Sequence, residues 1–83
     1  MIKIKYFARL SENLSRREED LALDDIDTVE ALIQRLIERG APWSQEFSGE
    51  NKIMVALNHE MCNRQAPLKS GDEVGFFPPV TGG

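Results

Sequence analysis

The chain has 83 residues, of which 41% are hydrophobic and 29% charged, and its ten basic and fourteen acidic side chains give a net charge of −4. This length suits one small domain, and the composition is that of a globular protein rather than a disordered chain. The acidic balance, the lack of a Lys/Arg cluster and the lack of an apolar run near the ~20 residues of a bilayer span exclude nucleic acid and membrane as expected partners.

The opening residues alternate apolar and charged side chains, the pattern of a strand with one buried face. The expected buried positions are Ile2, Ile4 and Tyr6. Phe7 then falls on the polar face, where its ring is exposed unless another segment covers it. After a polar stretch at residues 11–15, residues 19–23 are predicted as a second strand that pairs with the first as a hairpin.

Residues 28–39 are predicted as a helix, because their apolar side chains recur with the i, i+3, i+4, i+7 spacing of a helical stripe. Asp27 with Glu30 three residues later fits a capping box, and Thr28 is the rival cap. A glycine and a proline then end the helix. Residues 41–51 show no clear periodicity and are predicted as an irregular connection.

The last third of the chain is predicted to supply three strands. Residues 53–57 alternate, and a tight turn at Asn58–His59 or His59–Glu60 leads into a short strand at residues 61–62. Residues 72–77 form the last strand. Its inward side chains are Val74 and Phe76, and its outward positions are Glu73, Gly75 and Phe77.

This order of elements predicts an α+β fold of the ubiquitin-like β-grasp type, with a mixed sheet packed against one main helix. Residues 1–77 are expected to form the β-grasp domain. Residues 78–83 are expected to form a flexible, extended C-terminal tail that ends in Gly-Gly.

The side chains show no catalytic constellation. His59, the single histidine, reads as a turn residue, and Cys62, the single cysteine, reads as a small packed hydrophobe. A lone cysteine can form neither an internal disulfide nor a zinc site, which fits a reducing compartment and a cytoplasmic protein. Three carboxylates before the helix could suggest a metal, but capping of the helix explains them more simply. These are Asp24, Asp25 and Asp27. No metal and no stably bound cofactor is predicted.

The tail is the part of the chain that carries chemistry. Pro78 and Pro79 cannot continue a strand ladder and favour an extended conformation that projects Val80 and Thr81 away from the domain. The closing pair, Gly82 and Gly83, lacks Cβ atoms and can pass through a narrow channel. The α-carboxylate of Gly83 is then the reactive group, and it needs activation, for example as an anhydride with AMP. The alternative is an incidental frayed terminus.

The sequence resembles the family of molybdopterin synthase small subunits, which are sulfur carriers with a ubiquitin-like β-grasp fold. The resemblance covers the whole chain, through the segments MIKIKYFARL, DTVEALIQRL, MVALNHE and PLKSGDEVGFFPPVTGG. A terminal diglycine alone is shared with ubiquitin-like modifiers and with the carrier of the thiamine pathway. The longer string GDEVGFFPPVTGG is particular to this family.

The resemblance implies a sulfur-transfer role without catalytic side chains of the chain's own. An E1-like partner uses ATP to adenylate Gly83, and a sulfur donor protein converts the acyl-adenylate into a thiocarboxylate. The tail then inserts into the large subunit of molybdopterin synthase, where sulfur is transferred to cyclic pyranopterin monophosphate. Two transfers make the molybdopterin dithiolene, in a heterotetramer of two small and two large subunits whose catalytic side chains lie in the large ones.

The resemblance also places an interface with the large subunit at Phe7, Met61 and Phe77. Neighbouring first and last strands bring the two rings together as one exposed patch, unless residues 41–51 fold over them. Two other functions stay open. The activated carboxylate of a protein modifier, or of a carrier in another sulfur pathway, has the same chemistry, and a plain interaction module needs no tail chemistry.

Overall fold

The computed structural model describes residues 1–48 and 53–78. This part of the chain contains five strands and three helices. In chain order they are β1 (Ile2–Tyr6), α1 (Arg9–Leu14), β2 (Glu18–Leu21), α2 (Val29–Ile37), α3 (Trp43–Phe47), β3 (Met54–Leu57), β4 (Glu60–Cys62) and β5 (Glu73–Phe77). Residues 49–52 and 79–83 lie outside the described residues. None of the described helices is long and apolar enough to cross a membrane.

The strands form one mixed sheet in the order β2-β1-β5-β3-β4. β1 runs parallel to β5 and antiparallel to β2, while β3 is antiparallel to both β5 and β4. The first and last strands are therefore neighbours at the centre of the sheet, as predicted. The predicted α+β class, a ubiquitin-like β-grasp with α2 as its main helix, is confirmed.

The core lies on one face of the sheet, beneath the helices. Ile2, Ile4 and Tyr6 of β1 are buried as predicted, and so are Val74 and Phe76 of β5. The helix α2 contributes the apolar stripe that its spacing predicts. Its buried members are Val29, Leu32, Ile33 and Leu36. Alternation in the strands and the 3.6-residue period of the helix thus point to the same core.

The N-terminal cap of α2 is Thr28. Its backbone is extended, and its side-chain oxygen accepts a hydrogen bond from the Ala31 N–H at 3.1 Å. The capping box from Asp27 is therefore wrong, since the Glu30 carboxylate bonds instead to Gln34 within the helix. The helix covers Val29–Ile37, somewhat less than the predicted residues 28–39.

Two short helices occupy segments that the sequence pattern predicts as loops. The helix α1 overlaps the polar stretch at residues 11–15, and α3 lies within the predicted connection at residues 41–51. The predicted main helix is therefore accompanied by two short helices that the sequence pattern did not indicate. Each short helix buries only two side chains, spaced one turn apart, and such a pair is too short to show a period. These pairs are Leu10 with Leu14, and Trp43 with Phe47.

The strand boundaries differ from the predictions by one or two residues. The strand β2 covers Glu18–Leu21 rather than residues 19–23, and it pairs with β1 as expected. The turn into β4 is made by Asn58 and His59, which both have positive φ angles, 51° and 71°. This is the backbone of a two-residue hairpin turn with a primed geometry.

Candidate functional site

The outer face of the sheet, opposite the core, is arranged in cross-strand rows. Strand register places Gly75 of β5 between Lys5 of β1 and Ala56 of β3, and Ala56 opposite Met61 of β4. In the next row Phe77 lies opposite Met54, with Phe7 just past the end of β1. Alternation along each strand puts these side chains on the face away from the helices.

Phe7 and Phe77 stack on the outer face. Their ring centroids are 4.7 Å apart and the rings are inclined by only 6°. Gly75 lies beneath them, and a Cβ atom there would come within 3.0 Å of the Phe7 ring. The predicted outward position of Gly75 is thus correct, but the Phe7 ring covers it and makes it buried. Phe7 itself remains 40% exposed.

An apolar patch extends from the two rings toward the β3–β4 hairpin. It consists of Phe7, Met54, Met61, Phe77 and Pro78. Met54 is 42% exposed and Met61 58% exposed, and the last four members line a cavity of about 270 Å³. Exposed apolar clusters of this kind on a small protein mark interaction sites.

The predicted interface residues Phe7, Met61 and Phe77 are brought together in this patch. Met54 is a member that the sequence reading did not single out. Its outward position could have been predicted, because Met54 lies between the inward positions Ile53 and Val55 of an alternating strand. The alternative, in which residues 41–51 fold over the two rings, is not found for the described part of that segment, where Trp43 and Phe47 belong to the core.

Polar side chains border the apolar patch beside the β3–β4 turn. The Glu73 carboxylate lies 3.3 Å from Nε2 of His59 and 3.7 Å from Nζ of Lys5. His59 is 80% exposed on its side chain and occupies the turn, as predicted. The patch therefore has an apolar centre and a charged margin, the usual anatomy of a protein interface.

The tail starts at the edge of the patch. The strand β5 ends at Phe77, and Pro78 both lines the patch cavity and begins the predicted tail. The other tail positions, Pro79, Val80, Thr81, Gly82 and Gly83, lie outside the described residues, so their roles stay predictions. A partner that covers the patch must therefore lie next to Pro78, the first residue of the predicted tail.

The other residues that the sequence offered as candidates for a functional site have local structural roles. Cys62 is partly buried, and burial raises the pKa of its thiol, the opposite of what a reactive cysteine needs. Asp25 accepts a 2.7 Å hydrogen bond from Arg35. Within residues 1–48 and 53–78, no group of three His, Cys, Asp or Glu side chains is placed to hold a metal ion.

A charged network lies at the margin of the core and was not visible in the sequence. The Tyr6 hydroxyl donates to Glu19 at 2.7 Å, and the Arg39 guanidinium donates to both Glu19 oxygens at 2.9 and 2.8 Å. Arg39 also lies 4.5 Å from the ring centroid of Trp43. Burial opposes the charge on Glu19, but the hydrogen bonds from Arg39 and Tyr6 outweigh it and lower the pKa of the carboxyl. The network joins β1 and β2 to the end of α2 and to α3.

Comparison with known proteins gives full-length matches. The model of the ThiS family matches residues 4–83 of the chain. A protein of Escherichia coli (strain K12) named molybdopterin synthase sulfur carrier subunit is 39% identical over 100% of both chains. The solved structure of a putative molybdopterin converting factor, subunit 1, from Pyrococcus furiosus has a TM-score of 0.78 at 33% identity, covering 95% of this chain and 97% of that one. Small archaeal modifier protein 1 of H. volcanii has a TM-score of 0.75 at 27% identity, covering 95% and 97%.

Proposed function

Because the chain belongs to the ThiS family, we propose that it is the sulfur carrier subunit of a molybdopterin synthase. The observation that carries this proposal is the identity of 39% to the E. coli carrier subunit over the full length of both chains. Among the described residues, the one exposed apolar cluster that we identify borders the base of the tail. A carrier needs these two features together, a surface that a partner recognises and a reactive end that the partner can receive.

The reactive group in this proposal is the C-terminal carboxylate of Gly83. Ionised near neutral pH, it is a poor electrophile until an E1-like enzyme transfers AMP to it from ATP and releases pyrophosphate. The terminal sulfur of a persulfide on a donor protein then attacks the acyl carbon and AMP leaves. A thiol next attacks the donor's sulfur of the resulting acyl disulfide and forms a disulfide with it, which releases the thiocarboxylate. ATP is bound by the adenylating enzyme, and the carrier itself holds no cofactor.

The tail delivers this group to the active site of the large subunit. Pro78 and Pro79 favour an extended chain, and six residues in that conformation reach about 18 Å. Gly82 and Gly83 leave the entrance channel free of side-chain bulk. There the thiocarboxylate donates sulfur to cyclic pyranopterin monophosphate, and two such transfers form the molybdopterin dithiolene. The assembly is a cytoplasmic heterotetramer of two small and two large subunits.

The apolar patch is the docking surface for the large subunit in this proposal. The stacked rings of Phe7 and Phe77 present a rigid aromatic anchor, and aromatic anchors of this kind carry much of the energy of protein interfaces. Met54 and Met61 flank the anchor with adaptable side chains. Docking here places the partner beside Pro78, where the tail begins.

Intact mass spectrometry tests the chemistry directly. The chain is incubated with its adenylating enzyme, ATP and a sulfur donor, and we expect a mass gain equal to the replacement of one oxygen atom by sulfur. A variant without Gly83 is the matched control and should gain nothing. Absence of the gain in the full chain, with partners proven active on another carrier, contradicts the proposal.

A protein-modifier function is the second candidate, favoured by the likeness to small archaeal modifier protein 1. In that case the activated Gly83 carboxylate forms an isopeptide bond with a lysine of another protein. Covalent adducts in lysate that disappear when Gly83 is removed support this function. The two candidates share the adenylation step and differ in the product, a thiocarboxylate or an amide.

A further inference from the structure

A notch borders the apolar patch on the outer face, and its floor is formed by the two smallest residues of that face. Gly75 and Ala56 lie side by side on neighbouring strands, and both are buried. Phe7 and Phe77 form the wall at one end, and Met61 stands across from Ala56 at one side. The notch has a volume of about 190 Å³, roughly that of six water molecules in the liquid, which suits one long side chain.

The far end of the notch is closed by a carboxylate. Glu73 precedes Gly75 by two residues on β5, so its side chain points to the same outer face. Both of its recorded ion-pair contacts, to His59 and to Lys5, use the oxygen Oε2. Its other oxygen, Oε1, has no partner among the residues that the structure describes. The carboxylate can therefore accept hydrogen bonds from a group that enters the notch.

We propose that this notch receives an arginine side chain of the protein that docks on the apolar patch. The inference rests on the proposed function and names the chemistry of its docking contact. The aliphatic stem of the arginine lies over Ala56 and along the Phe7 ring, which covers Gly75, and its guanidinium donates hydrogen bonds to Glu73. One end of the side chain is then apolar and the other charged, which matches the two ends of the notch.

Arginine fits this notch better than lysine or a purely apolar residue. A planar guanidinium stacks on aromatic rings and bonds to a carboxylate through two parallel N–H groups, whereas an ammonium is a hydrated point charge. The wall supplies the rings of Phe7 and Phe77, and the end supplies the carboxylate. A leucine or methionine would fill the apolar half and leave Oε1 of Glu73 buried by the partner without a hydrogen bond, which is unfavourable. Lys5 is held only weakly, since its Nζ lies 3.7 Å from the Glu73 oxygen and its side chain is 35% exposed.

Binding of the full chain to the large subunit of the synthase tests this inference. The variant Glu73→Gln keeps the shape of the side chain and removes its charge, and Glu60→Gln makes the same change on the exposed edge strand β4 as the matched control. We expect Glu73→Gln to weaken binding about thirtyfold or more, as truncated charge pairs at interfaces do. The control should bind within about twofold of the unchanged chain, and both should unfold at the temperature of the unchanged chain.

The partner's arginine is then identified by single Arg→Ala variants of the large subunit. One of these variants should bind the unchanged chain much more weakly, while its binding to the Glu73→Gln variant should hardly change. This non-additivity is what a direct contact between the two side chains produces. Unchanged binding of Glu73→Gln, together with loss of binding in Phe77→Ala, overturns the arginine contact and leaves the proposed function standing. A full chain that fails to bind the large subunit at all overturns the proposed function, and the docking inference with it.

Discussion

Asn58 connects the β3–β4 turn to the start of β5. Its side-chain NH₂ donates to the buried carboxylate of Asp72 at 3.1 Å, and its side-chain oxygen accepts from the Glu73 N–H at 2.9 Å. Its backbone N–H donates to the Glu73 carbonyl at 2.8 Å. The hydrogen bond from the Asn58 side chain, with one from the Lys69 N–H, lowers the pKa of Asp72. The hairpin that carries Met61 is thereby fixed in register against the strand that carries Glu73.

Two replacements of Asn58 distinguish the contribution of its side-chain hydrogen bonds to stability from the contribution of its left-handed backbone. Asn58→Ala loses the side-chain bonds and places at a φ of 51° a residue that, unlike asparagine, has no polar side chain to offset the left-handed backbone, so we expect a loss of about 2–3 kcal/mol in the free energy of unfolding. Asn58→Gly loses the same bonds without the steric penalty, and should be more stable than the alanine variant by about 1 kcal/mol. Urea unfolding measures both, and equal stabilities would contradict the steric part of this explanation.

Glu19 makes stability depend on pH at the margin of the core. The pKa of its carboxyl is lower in the folded protein than the ordinary value of 4.5, so the ionised form favours folding. This contribution is complete above pH 4.5 and is lost as the pH falls through the folded-state pKa. Glu19→Gln should therefore cost about 1–3 kcal/mol at pH 7, where the carboxylate accepts from Arg39 and Tyr6.

The same difference should shrink steadily as the pH falls below 4.5. Urea midpoints of the unchanged chain and the Glu19→Gln variant, measured from pH 7 to pH 3, check this. Asp72 titrates in both proteins and cancels from the comparison. A difference that stays constant down to pH 3 would show that the charge of Glu19 does not contribute.

At the scale of elements, the sequence predicts the helices and strands in which the spacing of apolar side chains repeats. It misses the elements that are too short to show a repeat. The strand β1 and the helix α2 are long enough to show their periods of 2 and 3.6 residues. The helices α1 and α3 have six and five residues and are stabilised by contacts with the rest of the core, not by propensity. Leu10 and Phe47 are each at most 1% exposed, yet neither has apolar neighbours at enough helical positions to show a stripe.

The candidate site likewise has one part that the sequence predicts and another that it does not. Local alternation places Phe7 and Phe77 on the outer face, and the strand order of a β-grasp brings the rings together. The notch depends on Gly75 of β5 lying beside Ala56 of β3, which is a fact of register between strands that are distant in the sequence. No local pattern contains register information, and so the floor of the notch could not be predicted.

The helix α3 holds a core aromatic, and graded replacement of Phe47 tests its importance. The Phe47 ring contacts the ring of Phe76 edge to face at a centroid distance of 5.0 Å. We expect Phe47→Ala to lower the free energy of unfolding by about 3–5 kcal/mol, because it leaves a cavity in the core. Phe47→Leu keeps most of the volume and should cost less than half as much. Urea unfolding gives both values, and a small loss for Phe47→Ala would show that α3 packs loosely.

At the scale of the whole molecule, stability and docking occupy opposite faces of one sheet. The side chains that hold the fold together point to the core face, from Ile2 and Ile4 to Phe76. The apolar patch and the notch lie on the outer face, where the described helices do not pack. Changes on the outer face should therefore alter partner binding more than folding stability. The C-terminal end adds a third property, the chemistry of sulfur transfer, which should be separable from both.

The separation of docking from chemistry is the prediction that concerns the whole molecule. Removal of Gly83 deletes the reactive carboxylate but leaves the patch intact, so sulfur transfer should be abolished while most of the affinity for the large subunit and all of the folding stability remain. Phe77→Ala removes half of the stacked pair, so the affinity should fall about thirtyfold while the tail keeps its carboxylate. The Phe77→Ala variant should still gain sulfur in the intact-mass assay at saturating enzyme, with a cost of about 1–2 kcal/mol in unfolding. Calorimetric titration with the large subunit measures the affinity, and intact mass spectrometry independently measures the gain of sulfur. A truncated chain that unfolds would contradict the assignment of docking to the patch and chemistry to the tail. A Phe77→Ala variant that binds as tightly as the unchanged chain would contradict it as well.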